Sequence, residues 1–378
     1  MTTGSEPVWI DTEAGLERAV SHLSQARSLA IDTEADSFYH YFHKCCLVQI
    51  SDGQTDFLID SLALKEPRAL APLLEAAGAP KVLHAAEQDV LYLRRDFGFE
   101  VRPLFDTMVA AQLLGRKSIG LAGLLKESFG LTLDKVCQRD DWSRRPLTTR
   151  QTAYAAEDVR HLIRLSHVLE AELEALGRLA WAREEFEHIA RRAWSPREFD
   201  RNDFWGLKGA RDLEPEVAAI LRELYAVRDE RARSADVPPF RILSDETLIA
   251  LARRKPRTGS DLDGIKGFTP LVRRRIGPLV LAAAERGLLL PESQRPVPPK
   301  GQGKRRSAAF RVRVERLREW RRNRSADLGL DPGVLFPQST LEAVAERGVS
   351  GLEQDDSIPG LRRWRREILL PEAARLLA

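Results

Sequence analysis

At 378 residues the chain is longer than one hydrophobic core usually organises, which points to two or three domains. With 43% hydrophobic and 30% charged residues it has the composition of an ordinary folded protein and excludes wholesale disorder. A formal net charge of +3 does not by itself indicate a nucleic-acid partner.

The N-terminal stretch MTTGSEPVWIDTEAG lacks the basic start and apolar run of a signal peptide. No segment reaches the ~18–20 apolar residues that span a bilayer, so a cytoplasmic location without a membrane partner is expected. Leu29-Ala30-Ile31 is a short apolar strand ending in acids, Cys46–Ile50 is a second strand that stops at the turn Ser51-Asp52-Gly53, and Asp56–Ile59 is a third. Their close spacing predicts an antiparallel meander. Cys45, Cys46 and Cys137 are the cysteines, with no C-x-x-C pair; they read as small buried hydrophobes in a reducing compartment, not as a zinc site or disulfide framework. Leu70–Ala77 reads as a helix closed by Gly78 and Pro80. Lys81–His84 follows as a fourth strand, Val90–Leu93 begins another helix, and Phe105–Leu176 is mostly helical. This order predicts an α/β domain, a mixed sheet with flanking helices.

From Glu214 onward helical periodicity dominates, and Pro296–Gly303 reads as a linker. The two sides of that linker repeat each other. Arg233-Ser234-Ala235-Asp236 recurs as Arg324-Ser325-Ala326-Asp327. After a shift of two residues, Thr247-Leu248 matches Thr340-Leu341, Ala250 and Ala252 match Ala343 and Ala345, Ile265-x-Gly267 matches Ile358-x-Gly360, and Pro278 matches Pro371. Two related small all-α domains are expected. The domain reading is 1–195, 210–292, a basic Pro/Gly-rich linker over 293–304, and 305–378.

Three short patterns in the first half carry chemistry. In Ile31-Asp32-Thr33-Glu34, residues two apart on a strand share a face, so Asp32 and Glu34 project together. His84-Ala85-Ala86-Glu87-Gln88-Asp89 sets Asp89 at or near the start of a helix. Tyr154 and Asp158 are four apart on a helix, hence on one face. Carboxylates gathered in this way repel, and burial raises their pKa values unless cations neutralise them. Hard oxygen ligands favour magnesium or manganese. A pair of such ions activates water and stabilises the leaving oxygen of a phosphodiester. Each pattern alone is weak; their joint appearance in strand and helix contexts is much stronger.

The set Asp32, Glu34, Asp89, Tyr154 and Asp158 resembles the tyrosine branch of the DEDD exonuclease superfamily. The surroundings narrow the resemblance to ribonuclease D: Leu29–Asp36, Cys46–Ile50, Phe105-Asp106-Thr107 with Ala110-Ala111, Leu133-Asp134-Lys135, and Asp141-Trp142 through Arg145-Pro146-Leu147 to Gln151 and Val159. It covers about residues 8 to 190. The helical repeats are similar to the helicase-and-RNase-D C-terminal (HRDC) domain, through the Pro239–Leu243 turn, the Leu248 helix and the Ile265-x-Gly267 turn; the second copy departs more. The resemblance implies a ribonuclease H-like mixed sheet followed by two HRDC domains, and a 3′→5′ exoribonuclease. It further implies that Asp32, Glu34 and Asp158 hold one divalent ion. Asp32 bridges to a second, with Asp89 acting directly or through water, and Tyr154 aligns the nucleophilic water. Mg2+ or Mn2+ as cofactors, nucleoside 5′-monophosphates as products, RNA with a free 3′ end (usually a transfer RNA precursor) as substrate, and a monomer are implied as well.

Other residues have two readings each. His84 either approaches the substrate or packs as a structural histidine, and Lys135 and Arg145 are candidate RNA contacts. Asp106 matches a family motif and equally suits a helix N-cap. Glu87 and Glu157 lie off the relevant faces and read as solvated, and Trp142 reads as packing. Tyr39 to His43 either stack on terminal bases or form a loop. Between Arg295 and Arg324, Lys300, Lys304, Arg305, Arg306, Arg311, Arg313, Arg316, Arg318, Arg321 and Arg322 are opposed only by Glu315 and Glu319. This is a phosphate-binding stripe or a solvated charged helix. A DNA exonuclease and a non-catalytic RNA-binding protein are the competing readings: the same metal chemistry cleaves either backbone, and contacts to the 2′-hydroxyl decide.

Overall fold

Leu29–Ile31 is buried on the strand it forms, and burial fades from Asp32 onward, so the sheet itself delivers two acids to its open end. The computed structural model describes residues 6–64, 67–133, 136–196, 198–299, 307–354 and 358–378. Backbone contacts divide them into two units. One contains the residues up to Ala35, Lys44–Trp194 and the stretch from Ser307 to Ala378; the other contains Asp36–His43 and Ser195 to Pro299.

In the first unit the order is β1 (Val8–Ile10), α1 (Glu13–Leu23), β2 (Leu29–Ala35), β3 (Cys45–Ser51), β4 (Asp56–Ile59), α2 (Ala71–Glu75), β5 (Lys81–Leu83), α3 (Glu87–Phe97), β6 (Leu104–Asp106), α4 (Thr107–Leu113), α5 (Leu121–Phe129), α6 (Thr149–Arg160), α7 (Leu162–Ala175) and α8 (Leu179–Ala190). The strands form one mixed sheet ordered β1-β4-β3-β2-β5-β6. The meander β2-β3-β4 is antiparallel as expected, and β1, β5 and β6 join it by parallel pairing. Every residue of β3 is buried, as in a strand covered on both faces. The three cysteines are buried, and none forms a disulfide. No described helix is long and apolar enough to cross a membrane.

The second unit carries α9 (Pro215–Ser234), α10 (Pro239–Ile242), α11 (Asp245–Arg254) and α12 (Pro270–Leu289), around a core that includes Leu221, Leu224, Leu248, Leu251 and Val280. The second repeat has the same order: α13 (Ala308–Leu328), α14 (Pro332–Leu335), α15 (Gln338–Gln354) and α16 (Arg363–Leu377). The internal likeness extends to single contacts. Thr247 Oγ1 donates to the Lys266 carbonyl at 3.1 Å, and its counterpart Thr340 Oγ1 donates to the Pro359 carbonyl at 2.9 Å. The following glycines, Gly267 and Gly360, both adopt positive φ (83° and 74°), and a Cβ on either would collide with that threonine hydroxyl. Arg228 donates to the Leu243 carbonyl, and Arg321 to the Phe336 carbonyl.

Although the two repeats are related, α13–α16 group with the nuclease sheet, and one continuous apolar cluster contains both. Trp181 on α8 stacks on Trp364 on α16, with centroids 4.8 Å apart and planes at 13°. Glu185 accepts from Trp364 Nε1 at 3.0 Å, from Arg362 Nε at 3.1 Å and from Arg365. Glu184 accepts from the backbone N–H groups of Arg363 and Trp364, at the start of α16. Arg178 donates to the Leu113 carbonyl at 2.7 Å and to the Leu328 carbonyl at 2.6 Å. One buried cation thus satisfies the C-terminal ends of α4 and α13. Removing it leaves two carbonyls without that donor. Arg178→Ala is therefore expected to destabilise this unit by about 2–4 kcal/mol. A urea titration checks this: an unchanged midpoint would refute the role given to Arg178.

Candidate active site

Two strand residues and two helix residues build the centre. Asp32 and Glu34 project from the same face of β2, opposite Gln49 and Leu47 of β3. The start of α6 is fixed by a reciprocal capping box. The Thr148 side chain accepts from the Gln151 N–H, and the Gln151 side chain accepts from the Thr148 N–H. That start point sets which face α6 presents, and Tyr154 and Asp158 occupy it. Carboxylate oxygens of Asp32, Glu34 and Asp158 lie within 4.8 Å of one another. The three acids and Tyr154 line a cavity of about 370 Å³, together with Thr33, His84, Ala85, Gly120, Leu121, Ala122, Leu133 and Gln138.

Asp89 stands in the first turn of α3 and is not one of this trio. It accepts a 2.5 Å hydrogen bond from Thr33 Oγ1, from the residue between the two strand acids. The approach of α3 is set by Asp106. Its buried carboxylate caps α4 through the Met108 and Val109 N–H groups and also accepts from those of Ala85 and Ala86. Ala85 has φ of 60°, a conformation a non-glycine residue holds only when its surroundings enforce it. Of the two readings of Asp106, the helix cap is therefore the one realised.

The electrostatics follow from burial and crowding. Burial first, then Asp89, Asp158 and Glu34, hold the Asp32 carboxyl well above the usual carboxylate range. Glu34 is raised well above it by burial, then by Asp158, Asp89 and Asp140. Burial lifts Asp89 to about 7 against the opposing bond from Thr33, and Asp158 to about 6 against the bond donated by Tyr154. Burial and the three acids push the Tyr154 phenol upward, so it stays protonated. No lysine or arginine is among the described residues that line the cavity. Converging oxygens, half-buried and without a basic side chain in the described lining of the cavity, fit hard divalent cations.

His84 lies just beyond β5 and lines the cavity, with Nδ1 2.9 Å from Thr107 Oγ1. Lys135 falls outside the described residues, as do Asp134, Lys300, Lys304, Arg305 and Arg306. Arg145 does not line the cavity. Its guanidinium makes a two-point bond to Asp60, at 2.7 Å each, and donates to the Cys46 and Trp142 carbonyls. Glu87 pairs with Arg192 and Glu157 with Arg160, and Trp142 is buried beside Tyr154. The aromatic segment belongs to the second unit, where His40 and the Phe42 N–H bond to Asp236 and Tyr41 bonds to Asp229. Part of the basic stripe is committed within the fold: Arg321 bonds to the Phe336 carbonyl and Arg318 to Glu315, whereas Arg311 and Arg322 are exposed. Gly120, Ala122 and Gln138 carried no pattern that would mark them as cavity residues; Thr33 lay inside the acidic motif itself.

The family described as 3′-5′ exonuclease matches residues 7–174, and the HRDC domain matches residues 217–283 and 310–372. A ribonuclease D of Pseudomonas paraeruginosa is 34% identical over 374 residues, covering 97% of this chain and 96% of that protein. One from a Jannaschia species is 32% identical, covering 92% and 89%. The crystal structure of Escherichia coli RNase D, described as an exoribonuclease involved in structured RNA processing, superposes with a TM-score of 0.73 at 27% identity over 98% of both chains. These likenesses run nearly end to end, across the acid-bearing sheet and both helical repeats: the chain belongs to the ribonuclease D family.

Proposed function

We infer that this protein is a 3′→5′ exoribonuclease that removes nucleoside 5′-monophosphates from the free 3′ end of RNA, with transfer RNA precursors as substrates. The observation that carries the reading is the convergence of Asp32, Glu34 and Asp158 beside Tyr154, in a cavity whose described lining has no basic side chain. The protein is proposed to act as a cytoplasmic monomer. Its nuclease domain would span 1–195, with HRDC domains over 210–292 and 305–378.

Asp32, Glu34 and Asp158 would hold one divalent ion, Mg2+ or Mn2+, and Asp32 with Asp89 a second. Such a pair, when bound, neutralises the acids, activates water and stabilises the departing 3′-oxygen. The residues themselves do the positioning. Thr33 fixes Asp89 by its hydroxyl, and Tyr154 donates to Asp158. Because the Tyr154 phenol keeps its proton, it orients the attacking water by hydrogen bonding and is not the base.

Matched 5′-labelled RNA and DNA oligonucleotides, incubated with Mg2+ or Mn2+ and with a chelator, test this reading. RNA shortened from its 3′ end, with DNA degraded far more slowly, is the expected result. Asp32→Asn should slow RNA degradation by at least about a hundredfold; undiminished degradation would remove the site assignment. Tyr154→Phe should lower turnover by about a hundredfold while Mn2+ affinity, read by calorimetry, stays within a few-fold. Equal turnover would exclude the phenol from the reaction.

The raised carboxyls also impose a pH dependence. An acid whose folded pKa exceeds its unfolded value contributes stability that is complete below about pH 4 and is lost as the pH rises through the folded value. Here the loss runs through about 6 for Asp158 and about 7 for Asp89. Metal-free protein should therefore melt lower at about pH 8 than at about pH 5.5, and Mn2+ should raise the melting temperature more at the higher pH. In Asp158→Asn both effects should shrink. Scanning calorimetry at the two pH values decides, and an Mn2+ shift independent of pH would contradict the origin assigned to the raised values.

A further inference from the structure

The layer between β3 and α6 contains a polar side chain that the chemistry above does not use. Gln49 sits in the middle of β3 with no solvent exposure, and neither Oε1 nor Nε2 of its amide has a hydrogen-bond partner among the described residues. Paired strands put Gln49 directly across from Asp32 on β2 and from Leu58 on β4. Residues opposite each other in an antiparallel ladder share a face, with Cβ atoms ~4.5–5.5 Å apart. The Gln49 amide therefore lies on the face that carries Asp32 and Glu34, next to the acid expected to touch both ions.

A purely structural position there would suit an apolar residue. The surroundings on that face are Leu47, Leu58 and Ala155, all buried in one apolar cluster. A buried amide with both ends unpaired is unfavourable in such a place. Its donor end is complementary to Asp32: an ionised carboxylate directed at cations is held in place by donors to its remaining oxygen lone pairs, and the side chain across the ladder from it bears an N–H2. We propose that Gln49 is a positioning residue for the cation site, its Nε2 donating to the ionised Asp32 carboxylate and holding it in the orientation that binds divalent metal.

This rests on the reading of Asp32, Glu34 and Asp158 as the cation site, and the test separates the two. Full-length protein and the variants Gln49→Met and Gln49→Asn are titrated with Mn2+ by calorimetry across pH, and their metal-free melting temperatures are recorded. Gln49→Met removes both unpaired polar atoms while keeping the side chain's length. Its metal-free melting temperature should be unchanged or higher, its Mn2+ affinity lower by about ten- to a hundredfold, and the pH midpoint of Mn2+ binding displaced upward. Gln49→Asn keeps the amide but withdraws it by one methylene, and should lose Mn2+ affinity in the same direction. Wild-type affinity and pH midpoint in either folded variant would overturn the proposal while leaving the cation site standing. Absence of Mn2+ binding by the unaltered protein would overturn both.

Discussion

Three carboxylates with oxygens inside 4.8 Å of one another repel, and partial burial withdraws some of the water that would screen the repulsion. This is the constraint around which the nuclease unit is arranged. The acids are held together by elements whose stability comes from elsewhere: a strand buried over its first three residues, and a helix started by a capping box. The repulsion is the free energy that a cation recovers on binding. A centre of this kind is strained when empty and relieved by a divalent cation.

The supports around the centre are mostly hydrogen bonds to backbone. Asp106 illustrates the logic. A single carboxylate accepts four N–H groups, so it ends the 84–86 turn and begins α4 in one stroke. Asp89 inherits its position from that turn, and Thr33 clamps it from the strand side. Such a clamp holds the fourth acid close to the other three without adding it to their tightest group. The electrostatic field of Asp89 still reaches Asp32 and Glu34, which it raises.

Much of this was legible in the amino-acid order. The meander followed from apolar runs separated by turn residues, and the acids from two periodicities, two on a strand and four on a helix. The strands Val8–Ile10 and Leu104–Asp106 were not legible, nor was the helix Glu13–Leu23 foreseen. Three residues give no period, and these two edge strands exist because a neighbouring strand recruits them. Arg145 shows the converse limit. A basic residue in a family-like motif suggested a contact to RNA, but Asp60, far away in sequence, claims its guanidinium. The distinction between a committed and an available cation is tertiary information. The same holds for Arg321 in the basic stripe, whose partner is a helix-end carbonyl.

The paired repeats show how one module can acquire two surfaces. The second residue of α16 is Trp364, buried against Trp181; the second residue of α12 is Leu271, half exposed to solvent. The duplicated framework is alike in both copies down to a threonine–glycine contact, yet one copy has turned this edge into glue. Trimming the chain back to its catalytic sheet would therefore bare a greasy flank at Trp181, leave Glu185 without Arg362 and Arg365, and leave Glu184 without the backbone N–H groups at the start of α16. A protein shortened in that way would be prone to self-association. The last seventy-odd residues are thus better regarded as an outer wall of the enzyme than as a detachable appendage.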